Sequence, residues 1–325
     1  MKKILQNKKE LFVILNLIIC YIASAMKISD IKGTERLSNY SEIKNINIER
    51  VVDYDNYERK GEFAYVNGES KPITGLVVSK KNNRIMSLIP YVNGNGNGVK
   101  YEYYENGQLS FTVFLKNNKQ NGTGSTYNKD GKLRCNFKAE NGIRVFSECY
   151  NEDKSVDQVY NSINGTSGIL TKYYKGTKIK SFVAEVTQNY SNKGTIEFIN
   201  NGRTLVYDKK GTLLADLNYK NDSIIGLQQK FYVNGKLKYD LIAASEDPKN
   251  FKAMDYAIEY YDNSDIIKLN CREKERGKGK WTCKEYNKNG SLKREFDSPT
   301  YKFKQSGTKD WINYLLPVLK LLTGW

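Results

Sequence analysis

The most constraining feature of this sequence is a segment that occurs twice in succession between residues 99 and 142. In each copy a tyrosine-containing stretch leads into a turn dipeptide, Asn106-Gly107 or Asp130-Gly131, and an alternating apolar strand follows. The two turn glycines, at positions 107 and 131, are 24 residues apart. A period of roughly 20–50 residues is typical of repeat arrays, in which each unit buries its apolar surface against its neighbours. The sequence therefore predicts a tandem array.

Each copy has the pattern of a β-hairpin. Tight turns need positive φ, which Gly, Asn and Asp tolerate, so Asn-Gly and Asp-Gly are strong hairpin signals. Apolar and polar residues alternate around the turns, as in half-buried strands. We expect a three-residue loop at 106–108 with a G1 bulge, because a two-residue loop would scatter the apolar side chains. With the same loop at 234–236, the predicted opposed pairs are Tyr103–Phe111, Tyr101–Val113, Val233–Leu237 and Phe231–Tyr239.

Such hairpins must join into a larger sheet, because a lone hairpin is only marginally stable in water. Cross-strand aromatic pairs stabilise a sheet of this kind, which accounts for the 25 tyrosines of the chain. The predicted fold class is all-β: an elongated, single-layer antiparallel sheet of roughly eight or nine tandem β-hairpin repeats. A C-terminal capping helix completes the predicted fold.

Residues 1–25 have the pattern of a secretory signal peptide. Four lysines precede an apolar run from Leu11 to Ile22, and the small residues Ala23-Ser24-Ala25 follow. We therefore expect cleavage after Ala25 and export to the periplasm, the cell surface or the medium. An uncleaved membrane anchor is the alternative, although the apolar run is short for a membrane span of about 20 residues.

Composition and periodicity divide the remaining chain into three segments. Residues 26–60 are polar and charged, and we expect this lead-in to cover the first edge of the sheet. Residues 61–298 form the repeat array. Residues 299–325 include apolar side chains at helical spacing, which predicts an amphipathic helix that caps the last edge. Contact of this C-terminal segment with a membrane or a partner is the alternative.

The cysteines follow the same hairpin symmetry. Removal of residues 1–25 leaves four cysteines, which allow three pairings. Cys135 and Cys149 are equidistant from residue 142, and Cys271 and Cys283 are equidistant from residue 277. Opposed Cα atoms in antiparallel strands lie about 4.5–5.5 Å apart, within reach of a disulfide. We therefore predict Cys135–Cys149 and Cys271–Cys283 disulfides, which an oxidising compartment would preserve.

Several of these motifs together resemble a known repeat family. They are an opening Lys71-Pro72-x-Thr74-Gly75, the stretch Tyr103-Tyr104-Glu105-Asn106-Gly107-Gln108-Leu109, and a closing Asn-Gly. In combination they resemble the variant MORN repeat of bacterial YwqK-type proteins, and the similarity extends over about residues 63–296. Some proteins of that type are described as antitoxins. The resemblance implies a repeat sheet and, as one possible role, neutralisation of a cognate toxin.

The chain is strongly basic, but its lysines are spread over every unit, which favours compositional bias over a dedicated binding surface. The formal net charge is +16, and removal of residues 1–25, which hold four lysines and one glutamate, leaves +13. A basic surface would attract anionic partners such as phospholipid head groups, acidic glycans or nucleic acid. Lysine beside tyrosine also resembles a nucleic-acid surface, but we expect no nucleic-acid partner for an exported chain. The predicted binding surface comprises Tyr101, Tyr103, Tyr173, Lys175, Lys178 and Lys180.

The composition argues against catalysis. The chain contains no histidine, which removes the usual general base, the Ser-His-Asp arrangement and most catalytic zinc sites. We expect no enzymatic activity, no cofactor and no metal. The predicted function is that of an exported, monomeric repeat protein that binds or scaffolds a protein partner at the cell envelope. The alternatives are a YwqK-like antitoxin and a surface binder of anionic lipid or glycan.

The cysteine pairing can be tested directly by peptide mapping of the mature protein without reduction. We expect two linked peptide pairs, Cys135 with Cys149 and Cys271 with Cys283, because hairpin symmetry sets each pair opposite one another. A reduced and alkylated sample is the control. Free thiols, or a crossed pair such as Cys135–Cys271, would contradict the predicted hairpin register.

Overall fold

The structure is a computed structural model that describes residues 26–38, 47–190, 196–224, 228–233, 235–243, 254–274 and 280–298. It contains two compact units: unit 1 ends at Arg144 and unit 2 begins at Val145. The regular structure in these ranges is almost entirely β-strand, so the predicted all-β class is confirmed. In these ranges no helix is long and apolar enough to cross a membrane. The predicted signal peptide (1–25) and C-terminal helix (299–325) lie outside the described residues.

Unit 1 combines a short N-terminal segment with the first hairpins of the array. Its described strands are β1 (Met26–Lys27), β2 (Asn47–Ile48), β3 (Val51–Asp53), β4 (Tyr57–Lys60), β5 (Phe63–Val66), β6 (Gly75–Lys81), β7 (Arg84–Val92), β8 (Asn95–Gly96), β9 (Gly98–Tyr103), β10 (Leu109–Lys116), β11 (Lys119–Tyr127) and β12 (Leu133–Glu140). Single turns of 3-10 helix span Ile28–Asp30, Thr34–Arg36 and Tyr54–Asn56. Strands β6, β7, β9, β10, β11 and β12 pair in that order as an antiparallel sheet.

One pairing in unit 1 departs from the antiparallel prediction. Strand β3 pairs with β6 in parallel, with Val51 opposite Leu76 and Val52 opposite Val77. The chain between them forms the separate antiparallel hairpin β4–β5. A parallel pair requires such a crossover connection, because a tight turn can join only antiparallel neighbours. The purely antiparallel expectation is therefore wrong at this edge.

The single-layer expectation is also wrong for this part of unit 1, because both faces of β6 are covered. Successive strand residues point to opposite faces. Leu76 and Val78 pack in one buried cluster with N-terminal apolar residues, whereas Val77 packs in another cluster beside the β4–β5 hairpin. The N-terminal members of the first cluster are Ile28, Ile31, Leu37 and Ile48. The second cluster adds Val52, Ala64, Val66, Ile73 and Tyr91.

The hairpin turn at Gly107 has three loop residues, as predicted, but the loop lies one residue earlier. The amide of Tyr104 donates to the carbonyl of Gln108 (2.8 Å), and the amide of Gly107 donates to the carbonyl of Tyr104 (2.9 Å). The loop is therefore 105–107. Gly107 is its last residue, with a φ of 87°, as in a type I turn followed by a G1 bulge.

This shift changes the strand register. Tyr103 is opposite Leu109 and Tyr101 is opposite Thr112, so the predicted partners Phe111 and Val113 are wrong. In the later hairpin, the predicted Phe231–Tyr239 pair is confirmed, but Val233 pairs with Lys236 and the predicted Val233–Leu237 pair is wrong. A bulge lies between the two pairs in each case. The turn dipeptide therefore predicts the hairpin and its approximate centre but not the pairing beside the turn.

Unit 2 is a succession of antiparallel hairpins. Its first described strand, β13 (Ile143–Tyr150), begins with the last two residues of unit 1. The other described strands are β14 (Val156–Asn164), β15 (Ser167–Tyr173), β16 (Lys180–Tyr190), β17 (Ile196–Tyr207), β18 (Leu213–Lys220), β19 (Ser223–Ile224), β20 (Gln228–Val233), β21 (Lys236–Ala243), β22 (Met254–Tyr260), β23 (Ile267–Glu273), β24 (Trp281–Tyr286) and β25 (Leu292–Ser298). Each strand pairs with the next, except that β18 pairs with both β19 and β20.

The described residues of unit 2 form two buried clusters. The larger follows β14 to β18, and its members alternate along the strands: Tyr160, Leu170, Phe182, Ala184, Val186, Val206, Ala215, Leu217 and Tyr219. The buried side chain of Gln188 donates a hydrogen bond to the hydroxyl of Tyr160 at 2.7 Å. Trp281, 2% exposed, packs with Cys271 and Cys283 in the smaller cluster.

One predicted disulfide lies within unit 2 and is confirmed. Cys271 and Cys283 are directly opposed on β23 and β24, their Cα atoms are 4.1 Å apart, and their sulfur atoms are bonded. Cys135 and Cys149 are disulfide-bonded as well. All four cysteines that follow the predicted signal peptide are therefore oxidised.

Alanine substitutions at two turn glycines, Gly107 and Gly290, test how closely the N-terminal segment packs on the Gly107 turn. A Cβ at Gly107 would collide with the carbonyl oxygen of Arg36, whereas a Cβ at Gly290, which has nearly the same φ, meets nothing within 4 Å. We expect Gly290→Ala to cost about 1 kcal/mol through backbone strain alone. Gly107→Ala should cost about 3 kcal/mol, because the N-terminal segment must also move. Urea unfolding followed by circular dichroism gives both values, and equal losses would show that Arg36 is not packed on this turn.

Candidate functional site: the turn edges of the two units

Hairpin turns with loops of three or four residues recur along one edge of each unit, which we call the turn edge. Its loops close by a backbone hydrogen bond across the turn, at 104–108 and 128–132 in unit 1 and at 151–155, 174–179, 208–212, 261–266 and 287–291 in unit 2. In four of these loops an Asx side chain accepts the amide two residues later at 3.0–3.1 Å: Asn106, Asp130, Asp153 and Asn289. This local bond favours the turn over a continuing strand.

Tyrosine side chains connect each of three turns to a later one. The hydroxyl of Tyr104 donates to the carbonyl of Tyr127, that of Tyr174 to Tyr207, and that of Tyr261 to Tyr286, each at 2.8 Å. Each acceptor directly precedes another turn of the same edge. The donors are the first residues of their own turns, so a tyrosine at this position both closes a hairpin and fixes the spacing to the next. We call these bonds the tyrosine ladder.

The predicted binding residues of unit 2 lie together on the hairpin β15–β16. Lys175, Lys178 and Lys180 are exposed, and Tyr173 beside them is half-buried. No carboxylate forms an ion pair with these three lysines among the residues that the structure describes. We call Tyr173 and the three lysines the basic hairpin. Its charges are available to a partner, because long, solvated lysine side chains on a turn attract anionic groups over several ångströms.

A carboxylate on the neighbouring turn remains ionised beside the basic hairpin. The hydroxyl and amide of Ser155 donate to Asp153, and these hydrogen bonds, with a smaller contribution from the charge of Lys175, lower the pKa of the Asp153 carboxyl. Asp153 therefore acts as a turn cap rather than as a proton donor. Asp53 has the same role at the start of a 3-10 turn, where it accepts the amide of Asp55.

The predicted binding residues of unit 1 lie in a different environment. Tyr103 is 3% exposed and belongs to the cluster around Ile28 and Leu109, and Tyr101 packs against the same cluster. Tyr103 is therefore not part of an exposed binding surface, and that prediction is wrong. The N-terminal segment 26–38 covers these rings, and its short 3-10 turns have no periodic sequence pattern from which this cover could be predicted.

Unit 1 also has an apolar concave surface. It encloses about 330 Å³ and is lined mainly by aliphatic and aromatic side chains, among them Ile48, Leu88, Pro90, Val99 and Tyr101. Groups of three or more His, Cys, Asp or Glu side chains with metal-binding geometry are absent from the described ranges. The described surface thus includes basic turns and an apolar cleft.

Comparison with known proteins agrees with the repeat reading of the sequence. Residues 97–117, which cover β9, the Gly107 turn and β10, match the MORN repeat variant family. No curated protein matches the chain. Among solved structures, the chain is similar to a porin-like protein from Bacteroides uniformis, at 8% identity and over 71% of this chain and 91% of that one. The TM-score of that pair is 0.19, which is too low to support an argument.

The contribution of the tyrosine ladder can be measured by removing single hydroxyl groups. We expect Tyr104→Phe and Tyr261→Phe each to lower the free energy of unfolding by about 1 kcal/mol, because a part-buried carbonyl loses its donor. Tyr54→Phe is the matched control, since Tyr54 is 49% exposed and lies outside the ladder. Losses in the ladder variants no larger than in this control would show that the ladder does not stabilise the array.

Proposed function

We propose that this chain is an exported, non-enzymatic repeat protein that binds a protein partner at the cell envelope through the basic hairpin. The observation that carries the proposal is the set of three exposed lysines, Lys175, Lys178 and Lys180, on one turn beside Tyr173. An acidic protein surface is the partner that such a turn fits best. Opposite charges steer the encounter, and tyrosine supplies apolar contact with a hydroxyl at its rim.

Export is supported by two independent features. The first 25 residues combine a basic start, an apolar run and a small-residue cleavage site. All four later cysteines are disulfide-bonded, and disulfides persist mainly in oxidising compartments outside the cytoplasm. Fractionation of cells that express the full chain tests this part of the proposal, with mass spectrometry of the N-terminus to locate the cleavage site.

A binding role is also supported by the nature of the turn edge. The basic hairpin projects from a turn instead of lining a deep cavity, and the chain has no histidine for general acid–base chemistry. Carboxylates on the described turns, such as Asp153, cap backbone amides. Backbone hydrogen bonds and the tyrosine ladder hold the backbone of the lysine-bearing turn in place. Such a turn suits recognition of a macromolecular surface better than turnover of a small substrate.

Charge reversal of the basic hairpin tests the proposal. We expect the triple variant Lys175→Glu, Lys178→Glu and Lys180→Glu to lose a protein that co-purifies at fixed stoichiometry with the mature wild-type chain from the envelope fraction. Affinity should fall by about tenfold or more, because attraction becomes repulsion. The matched control reverses three exposed lysines of unit 1, Lys71, Lys116 and Lys119, with the same change in net charge.

The outcome of that experiment separates the proposed role from the alternatives. Equal loss in both triple variants would show a nonspecific effect of net charge and contradict the proposal. Retention of lipid or glycan without a protein would favour the surface-binder alternative. If the stoichiometric partner is toxic when expressed alone and harmless with this chain, the antitoxin alternative is supported. The antitoxin alternative is tested because residues 97–117 match the MORN repeat variant family and the sequence resembles YwqK-type proteins.

A further inference from the structure

A polar cleft of about 560 Å³ lies in unit 1 where the N-terminal segment crosses two hairpin turns. One wall is the 3-10 turn Thr34–Arg36 with its flanking residues, and the others are the start of β7 and the turn before β10. Its lining residues are Gly33, Arg36, Leu37, Arg84, Ile85, Asn106 and Gly107. The cleft is separate from the basic hairpin, which belongs to unit 2, and the inference below does not rest on the proposed function.

Close backbone contacts hold the walls of this cleft in place. A Cβ at Gly33, which has a φ of 100°, would lie 2.8 Å from the carbonyl oxygen of Asn83, so only glycine lets the segment approach the first turn. At the second turn, the amide of Ser38 donates to the carbonyl of Gly107 at 3.0 Å, and the Ser38 hydroxyl accepts the amide of Leu109 at 3.0 Å. The cleft is therefore formed before any ligand arrives.

Two guanidinium groups line the cleft, and their charges are not neutralised there. Arg84 donates one hydrogen bond, from Nη1 to the carbonyl oxygen of Glu105 at 2.6 Å, which leaves most of its donors available. Arg36 is exposed on the opposite wall. In the part of the chain that the structure describes, no carboxylate lies within ion-pair distance of either guanidinium.

The nearby carboxylates are already engaged elsewhere. Glu105 forms an ion pair with Lys81, and Glu35 accepts the amide of Gly33 at 2.9 Å. These contacts keep the pKa of both carboxyl groups below the usual range, with the Lys81 hydrogen bond as the largest cause for Glu105 and backbone amides as the largest favourable cause for Glu35. Both carboxylates therefore stay ionised, but within the described residues neither forms a hydrogen bond to the guanidinium of Arg36 or Arg84.

We infer that this cleft binds a small organic anion, with a carboxylate or phosphate group held between Arg36 and Arg84. The planar guanidinium fork matches the geometry of both oxyanions and binds them with charge-assisted hydrogen bonds. The side-chain amide of Asn106 accepts the amide of Gln108 and donates to the carbonyl of Lys129, and so holds the turn that forms one wall. Leu37 and Ile85 give the cleft an apolar floor, which suits the carbon skeleton of a sugar acid or a sugar phosphate.

Titration calorimetry of the mature full-length chain tests the inference with three probes: glucuronate, inorganic phosphate and uncharged glucose. We expect saturable binding of glucuronate or phosphate and none of glucose, because the oxyanion supplies the attraction. The anion that binds with the higher affinity then shows whether the cleft prefers a carboxylate or a phosphate group. The absence of saturable binding for both anions would overturn the inference.

Paired arginine variants locate the binding. The double variant Arg36→Gln with Arg84→Gln should lower the affinity for the anion by about tenfold or more, since two charge-assisted contacts are lost. The control pair is Arg59→Gln with Arg134→Gln, because Arg59 also donates to a backbone carbonyl, that of Glu62, and Arg134 is likewise exposed. Equal affinities in the two pairs would overturn the assignment of the site. Arg36→Gln alone, whose guanidinium donates no hydrogen bond to another described residue, gives the same test if the double variant fails to fold.

Discussion

A residue with left-handed backbone conformation in each loop of the turn edge is the constraint on which both units depend. At Gly107 this conformation closes a type I turn with a G1 bulge, and the bulge sets which residues of β9 and β10 are opposed. Gly131, Gly211 and Gly290 have φ values of 81–84° in comparable turns. Because such hairpin turns recur along one edge, the hydroxyl of the tyrosine that begins one turn reaches the backbone carbonyl that precedes another. These bonds link the turns of the repeat.

The two units complete their cores by different means, and this determines which surfaces can bind. In unit 1 the N-terminal segment and the β4–β5 hairpin cover opposite faces of β6, so Tyr103 becomes core. In unit 2 the strands carry their own alternating cluster, and the Cys271–Cys283 disulfide joins a smaller one around Trp281. In both units the turn edges keep their lysine and arginine side chains at the surface, since turn residues cannot be buried without exposing backbone donors to an apolar environment.

Sequence patterns predicted the features that depend on neighbouring residues. The 24-residue spacing, the turn dipeptides, the all-β class and the Cys271–Cys283 pair all follow from local periodicity. The exact register did not, because Asn106-Gly107 marks a turn without fixing where its loop begins. Burial of Tyr103 and the convergence of Arg36 with Arg84 depend on a segment that packs across a long sequence separation. Its 3-10 turns of three residues carry no period, so the sequence alone gave no means of placing it.

The tyrosine ladder lets the spacing between turns be set independently of the length of the strands. Its bonds join residues 23 to 33 positions apart, and they fix only the distance from turn to turn. Strand length is unconstrained by them: β16 and β17 have 11 and 12 residues, whereas β15 has seven and β18 has eight. Evolution can therefore lengthen an individual hairpin at the end away from the turn edge and add surface there. The spacing between turns at the turn edge stays the same.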